Sequence, residues 1–329
     1  MFRCINCGTE VPEFRYACPR CGSALLAVNE GLSWRPEGAG MWRYRSMVPV
    51  ERRVTMYEGG TPLVRRRDVE EEVFLKVEGN NPTGSFKDRG TSVVMSDAVE
   101  RGFGTVAVAS TGNMGASVAA YSAELVRMDG GFKEAVRRMR EEGERGVYLA
   151  TTGLNPLFIE GLKTIAFELF EQMGVPDTVI VPTGTGGLLT AIHKGFEELR
   201  GLGIIDRAPR MVAAQAAAAA PIVEAWRDRA PLREPKDAES IASAILVKEP
   251  YNGLSAISAM DSSGGLVTDD ELIDAVRELG KEGIFAEPSA AASLAAYRKL
   301  PSHRGRTVLM VTGSGLKDPT AALGGGRCM

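Results

Sequence analysis

Apolar and polar positions come in short blocks along the chain. Val73-Phe74-Leu75 with Val77, Thr105 to Ala109, Tyr148 to Thr152, Thr178 to Pro182 and Val308 to Val311 are nearly unbroken apolar runs and read as strands. Glycine- and hydroxyl-rich residues follow each run. Helix-compatible segments then start at about Lys87, span Gly115 to Ser122 and, after Gly153-Leu154-Asn155-Pro156, run as one long helix from Ile159 to Met173. This order of strand, loop and helix predicts an α/β architecture. Residues 31 to 60 read as an extended crossing segment anchored by Trp34, Trp42 and Tyr44, and Glu58 to Leu63 as a turn and a short strand. Two places break the pattern. The helix ending at Ser122 meets Ala123 to Met128 with no turn signal, where a helix-to-strand join normally takes a few residues; Gly130-Gly131 then opens an acidic–basic helix to about Gly143. The alanine run Ala216 to Ala220 reads at most as helix, and no site is assigned there.

A chain of 329 residues buries a large core and most naturally makes two domains. Its 44% hydrophobic and 25% charged residues are ordinary for a globular protein, and a formal charge of −3 argues against a nucleic-acid backbone as ligand. With no cleavable signal and no apolar run near 18 residues, a soluble, cytoplasmic protein without a membrane partner is expected. The only histidines, His193 and His303, sit in plain helix and turn contexts, so histidine-based triads and metal sites are poor candidates.

Cysteine changes the picture. Cys4-Ile5-Asn6-Cys7 and Cys18-Pro19-Arg20-Cys21 are two C-x2-C knuckles ten residues apart, each followed by a glycine, Gly8 or Gly22, where a tight knuckle needs positive φ. Four thiolates so spaced close a tetrahedral zinc site. Two disulfides are the rival reading, disfavoured in an intracellular protein. Charges within this unit balance, so a structural ribbon fits better than a nucleic-acid reader. Cys328 has no partner in this scheme.

The chemistry centres on Glu78-Gly79-Asn80-Asn81-Pro82-Thr83-Gly84-Ser85-Phe86-Lys87-Asp88-Arg89-Gly90. Lys87 stands just inside a helix start, where the helix dipole favours the neutral amine that a nucleophile or base needs. A phosphate-binding P-loop would put the lysine directly after the last glycine, and here Ser85 and Phe86 intervene. Ser110-Thr111-Gly112-Asn113 follows a strand and opens a helix, offering free N–H groups to an anion. Thr183-Gly184-Thr185-Gly186-Gly187-Leu188 does the same, with small residues that let the backbone close on a phosphate. A dinucleotide site would want an acidic residue at the end of a second strand, and Asp206 reads as loop.

Asn81 to Gly90 closely resembles the lysine motif of fold-type II pyridoxal phosphate enzymes, in the form associated with threonine synthases. The asparagine loop, the glycine loop, Glu58-Gly59-Gly60-Thr61-Pro62-Leu63, Ile284 to Ala292 and Val308 to Pro319 match that family in order. The resemblance covers residues 1 to about 325, and an N-terminal zinc ribbon resembles archaeal-type members. It implies a fold like the tryptophan synthase β chain: two open α/β domains with the cofactor in the cleft, plus the ribbon. The expected division is residues 1–28 for the ribbon, 29–80 and 149–329 for the large cofactor-binding domain, and 81–148 for the small one, with a strand–helix unit missing near 122–123.

The resemblance also implies roles. Lys87 would hold pyridoxal phosphate as a Schiff base and move protons. Asn113 would contact the cofactor's 3′-oxygen, the amides of Gly184, Thr185, Gly186, Gly187 and Leu188 its phosphate, and Thr312 its pyridine nitrogen. Ser110, Thr111 and Ser85 would meet the substrate, while Glu287 would be structural. The implied reaction takes O-phospho-L-homoserine and water to L-threonine and phosphate, in a homodimer. The sister reactions are cysteate synthesis from phosphoserine and threonine or serine dehydration, and a regulatory zinc-ribbon protein on an inactive scaffold is the reading from another class. Gly153 and Phe158 stand where familiar threonine synthases carry a serine and an arginine, and Ser314 where they carry a histidine. Losing that arginine removes a charge-assisted phosphate contact, so another cation, Lys163, Lys317 or a lysine of the missing segment, substitutes or the substrate differs.

Overall fold

The computed structural model describes residues 1–329 except 68, 111, 123, 125–131, 236–237, 262–264, 301–304 and 323–329. Three short strands open it, β1 (Phe2–Cys4), β2 (Glu10–Val11) and β3 (Leu25–Ala27), antiparallel in the order β2-β1-β3. Gly8 and Gly22 have φ of 69° and 72°, and their amides donate to the carbonyls of Cys4 and Cys18, closing the two knuckles. Phe2, Val11 and Leu25 share a core with Trp42, Val93 and Leu157, so this unit is docked on the body of the protein.

The crossing segment is not extended throughout. Met41–Met47 winds in 3₁₀ turns with a kink at Tyr44, and Met41, Trp42, Tyr44 and Met47 are buried. Trp34 stacks on Tyr44 with ring centroids 5.7 Å apart.

The body continues with β4 (Leu63–Arg65), β5 (Val73–Val77), α1 (Lys87–Glu100), β6 (Val106–Ala107), α2 (Asn113–Ala120), α3 (Phe132–Glu144) and β7 (Tyr148–Leu149). Then come α4 (Leu157–Leu162), α5 (Thr164–Met173), β8 (Thr178–Pro182), α6 (Gly187–Gly201), β9 (Arg210–Ala216) and α7 (Pro221–Asp228). The last elements used below are α8 (Gly253–Ala259), β10 (Gly265–Val267), α9 (Asp269–Lys281), α10 (Pro288–Tyr297) and β11 (Thr307–Val311). The single long helix expected after Pro156 is two. They are separated by Lys163 alone, whose backbone stays in the helical region, and the Thr164 hydroxyl donates to the Gly161 carbonyl there at 2.7 Å. The alanine run is not helix: Ala216 ends β9, and a turn that buries Ala219 and Ala220 leads into α7. The join after Ser122 and the Gly130-Gly131 opening lie outside the described residues.

Six strands form the main sheet in the order β10-β9-β8-β11-β5-β4, with β4 antiparallel and the rest parallel. β8 and β11 are buried at every position, which explains their unbroken apolar sequence. The chain runs from β5 to β8, moves out to β9 and β10, and returns to insert β11 between β8 and β5. Loops at the C-terminal ends of these three central strands therefore converge where the strand order reverses, the usual place for a ligand crevice in an open α/β sheet. The second, two-stranded parallel sheet pairs β6 with β7.

Candidate active site

Each central strand delivers one expected element. β5 leads to Lys87, β8 to the glycine loop and β11 to Thr312. Backbone bonds stitch the loops together: Phe86 N–H donates to Thr312 O at 3.1 Å, Ser314 N–H to Gly84 O at 2.9 Å and Glu287 N–H to Gly313 O at 3.2 Å. One pocket results, lined by Phe86, Lys87, Asn113, Thr152, Phe158, the 183–189 loop, Glu287 and Thr312, among others.

Lys87 is the first residue of α1, as the pattern predicts. Its Nζ lies 4.4 Å from the Phe86 ring centroid and 5.8 Å from that of Phe158, and it makes no ion pair among the described residues. Burial among these rings pushes the ammonium down to about 8; Glu287 opposes the shift and Lys317 adds to it. A substantial neutral fraction near pH 8 is what a nucleophilic amine requires.

A buried ion-pair network fixes α1 from below. Arg89 donates to both Glu78 oxygens at 2.8 Å and pairs with Glu168 at 3.0 Å, and Lys76 pairs with Glu168 at 2.5 Å. On the flank, α1 and α4 touch almost backbone to backbone. A Cβ on Gly90 would lie 2.5 Å from the Phe158 ring, and one on Gly161 would overlap the Arg89 carbonyl. These contacts set where Lys87 emerges.

Asn113 is the first residue of α2, and its Nδ2 donates to the Glu287 oxygens at 2.8 and 3.0 Å. Its buried Oδ1 has no partner. Glu287 is thus part of the pocket wall rather than merely structural as the sequence suggests. Burial raises its carboxyl, with Asn113 pulling the other way. Gly313 exists to admit it, since a Cβ there would sit 2.5 Å from Glu287 Oε1. The signal was an acid placed directly before a helix-starting proline and next to small residues, Ala286-Glu287-Pro288-Ser289.

The glycine loop is built for close approach. Gly186 has φ of 88°, and a Cβ on it would lie 2.7 Å from Asn252 O; at Gly184 a Cβ would meet Val247 at 3.0 Å. Asn252 N–H donates to Thr185 O at 2.9 Å and braces the loop, a role no local sequence signal announced. The fifteen-residue helix α6 starts at Gly187 and aims its N-terminus into the pocket. The orphaned Asn113 oxygen, the unpaired Lys87 amine and this cradle suit an anionic, carbonyl-bearing cofactor. Lys87, Asn113, Gly184, Thr185, Gly186, Gly187, Leu188 and Thr312 come together, while Ser85 and Ser110 are not among the lining residues and Thr111 lies outside the described ones.

A second cluster lies in the N-terminal sheet. The Sγ atoms of Cys4, Cys7, Cys18 and Cys21 lie within 4.8 Å of one another, with Cys4–Cys21 at 3.4 Å and Cys7–Cys18 at 3.7 Å. Zinc–sulfur bonds of about 2.3 Å in a tetrahedron put the sulfurs about 3.8 Å apart, so the donor set fits.

Comparison with known proteins gives the family. The family described as "Pyridoxal-phosphate dependent enzyme" matches residues 54–125 and 119–313. The threonine synthase of Methanocaldococcus jannaschii is 39% identical over an aligned length of 380, covering 98% of this chain and 94% of that protein. That of Methanosarcina acetivorans is 37% identical, covering 98% and 93%. Maize serine racemase has the same fold, with a TM-score of 0.66 at 19% identity over 79% of this chain and 89% of that one.

Proposed function

Because this chain belongs to the threonine synthases of the pyridoxal-phosphate-dependent enzyme family, we infer that Lys87 carries the cofactor and moves the substrate's protons. The family activity is that of a lyase, and its substrate is a phosphorylated amino acid. Position at the pocket wall, a depressed pKa and freedom from carboxylate partners support Lys87 in that role. The amides from Gly184 to Leu188 would hold the cofactor's phosphate, Asn113 its 3′-oxygen and Thr312 its ring nitrogen. When bound, pyridoxal phosphate withdraws electrons from the substrate's Cα and so loosens its protons. A neutral hydroxyl at the ring nitrogen cannot protonate it as a carboxylic acid would, which suits elimination and replacement at Cβ and Cγ better than transamination.

Lys87, as a free amine, would take the proton from Cα and then one from Cβ. The Cγ–O bond would break with its electron pair leaving on phosphate, Lys87 would return the two protons to Cγ and Cα, and water would add its hydroxyl at Cβ while its proton ends on the phosphate. The loop at Ser110 and Thr111 would hold the substrate carboxylate, and Ser85 belongs to the same proposal. Phe86 and Phe158 keep water off the amine, and this exclusion sustains its low pKa.

The four-cysteine cluster would hold one structural zinc, supported by its sulfur spacing and its place in a core shared with α1. A homodimer, a cytoplasmic location and the two-domain division after the ribbon complete the reading. The unit missing at Ser122–Ala123 is supported by a family match in two stretches that meet there, and by an aligned length of 380 against 329 residues here.

The observation that carries the reaction is Lys87 at the mouth of α1, facing the glycine cradle. Purified protein supplied with pyridoxal phosphate should release phosphate and L-threonine from O-phosphohomoserine, and Lys87→Ala should not. Turnover of O-phosphoserine alone would move the assignment to a sister enzyme.

A further inference from the structure

We propose that Lys317 is the cation that takes the substrate's phosphate, in a subsite over Gly84. The proposal rests on the threonine synthase reading. A phosphate monoester brings about two negative charges into the cleft, yet the described lining residues are charged only at Lys87 and Glu287. Lys87 is engaged with cofactor and protons. The wall formed by Phe158 and Gly153 offers none: Phe158 is a fully buried ring against Gly90, and the Tyr251 ring covers Gly153. Lys163, the lysine that follows on the same wall, is spent. It is fully buried and bonded to Glu160 at 2.6 Å and Glu198 at 2.7 Å.

Lys317 differs. Its Nζ is shielded from solvent and has no hydrogen-bond partner among the described residues. Its Cε lies 3.2 Å from where a Cβ on Gly84 would be, so it packs directly over Gly84, whose φ of 80° favours glycine. Asp88 and Glu287 attract it through space, and Lys87 faces it from α1. Neither acid closes on it. Asp88 is taken up by Thr83 N, Thr83 Oγ1 and Ser117 Oγ at 2.6–2.7 Å, and Glu287 by Asn113. Ser85, beside Gly84, carries a buried hydroxyl that also has no partner among the described residues. An enclosed ammonium without an acceptor is costly, and here the missing acceptor is an anion that arrives with the substrate. When the Cγ–O bond breaks, the electron pair stays on the phosphate oxygen; the proton released as water adds at Cβ ends on the phosphate, which departs as the hydrogen phosphate dianion, and Lys317 keeps its own proton and pairs with it.

The test uses holoenzyme, so that the glycine cradle is already filled. Inorganic phosphate should inhibit the wild type competitively against O-phosphohomoserine. Lys317→Met and Lys317→Gln should raise both KM and the phosphate inhibition constant about tenfold or more, consistent with loss of a charge-assisted contact. The cofactor's absorbance band and the affinity for L-threonine, which has a carboxylate but no phosphate, should be unchanged, and Lys317→Arg should restore most of the loss. Unchanged KM and phosphate inhibition in variants that keep the band would overturn the proposal. So would a loss of threonine affinity in step with them, which would make Lys317 a carboxylate ligand. If the wild type forms no threonine, the underlying reading falls instead, and phosphate titration of the cofactor band in wild type and Lys317→Met still decides the subsite.

Discussion

Replacing Glu168 with glutamine should destabilise the protein by about 3 kcal/mol. Glu168 is 4% exposed, and Lys76, Arg89 and Glu78 are 0% exposed. Its two oxygens take bonds from Lys76 at 2.5 Å, Arg89 at 3.0 Å, Gly60 N–H at 2.9 Å and Thr61 Oγ1 at 3.2 Å. Two cations balance two anions, and glutamine keeps the shape while leaving one positive charge enclosed and uncompensated. Breaking a buried pair costs about 3–5 kcal/mol, and the lower end applies because the amide oxygen still accepts. Adding Lys76→Met removes the surplus cation and should recover about 2 kcal/mol, since hydrophobic replacement of a whole buried pair is close to neutral. Urea unfolding followed by tryptophan fluorescence reads both variants. The pH dependence gives a further check. Burial disfavours the Glu168 carboxylate, but Arg89 and Lys76 more than offset that and lower its pKa from 4.5 to about 2. A depressed acid contributes stability above its unfolded pKa and loses it as pH falls through the folded one, so the gap between wild type and Glu168→Gln should hold at pH 6 and close between about 4.5 and 2. A loss under about 1 kcal/mol at pH 7, or no recovery in the double variant, would refute the charge-balance argument.

Gly90→Ala should cost about 1–3 kcal/mol through overlap with the Phe158 ring, despite alanine's better helix propensity, and Phe158→Leu should relieve it; a stabilised single variant would contradict the packing account. Apoenzyme should take up pyridoxal phosphate faster as pH rises, with a midpoint near 8 set by the desolvated Lys87, because only the neutral amine reacts; a midpoint near 10 would show an ordinary, solvated lysine. Elemental analysis should find one zinc per chain, and Cys7→Ser with Cys18→Ser should abolish it and loosen the core shared by Phe2, Leu25 and Trp42; metal-free, stable wild type would rule out the structural ion.

Much of this site was legible because its parts are local. A strand, a few small residues and a helix start are contiguous in sequence, so Lys87, Asn113 and the 184–188 loop could each be read from their own neighbourhood. That they converge follows from the return of β11 between β8 and β5, a pairing that no local pattern encodes. What stayed hidden is carried by contacts across long separations: Glu287 meeting Asn113, Asn252 bracing Thr185, and Lys317 lying over Gly84. The 3₁₀ turns at Met41–Met47 were missed because so short a winding, kinked at Tyr44, leaves no period to read. The interruption at Lys163 is a single residue with helical backbone angles, below the reach of periodicity.

The most direct test of the central claim is borohydride reduction of the holoenzyme followed by peptide mass spectrometry. Reduction fixes the cofactor's carbon to whichever lysine nitrogen carries it. The account predicts the pyridoxyl-phosphate mass on Lys87 alone, with loss of the cofactor absorbance band in Lys87→Ala. Label on another lysine, or no label in cofactor-supplied protein, would contradict it.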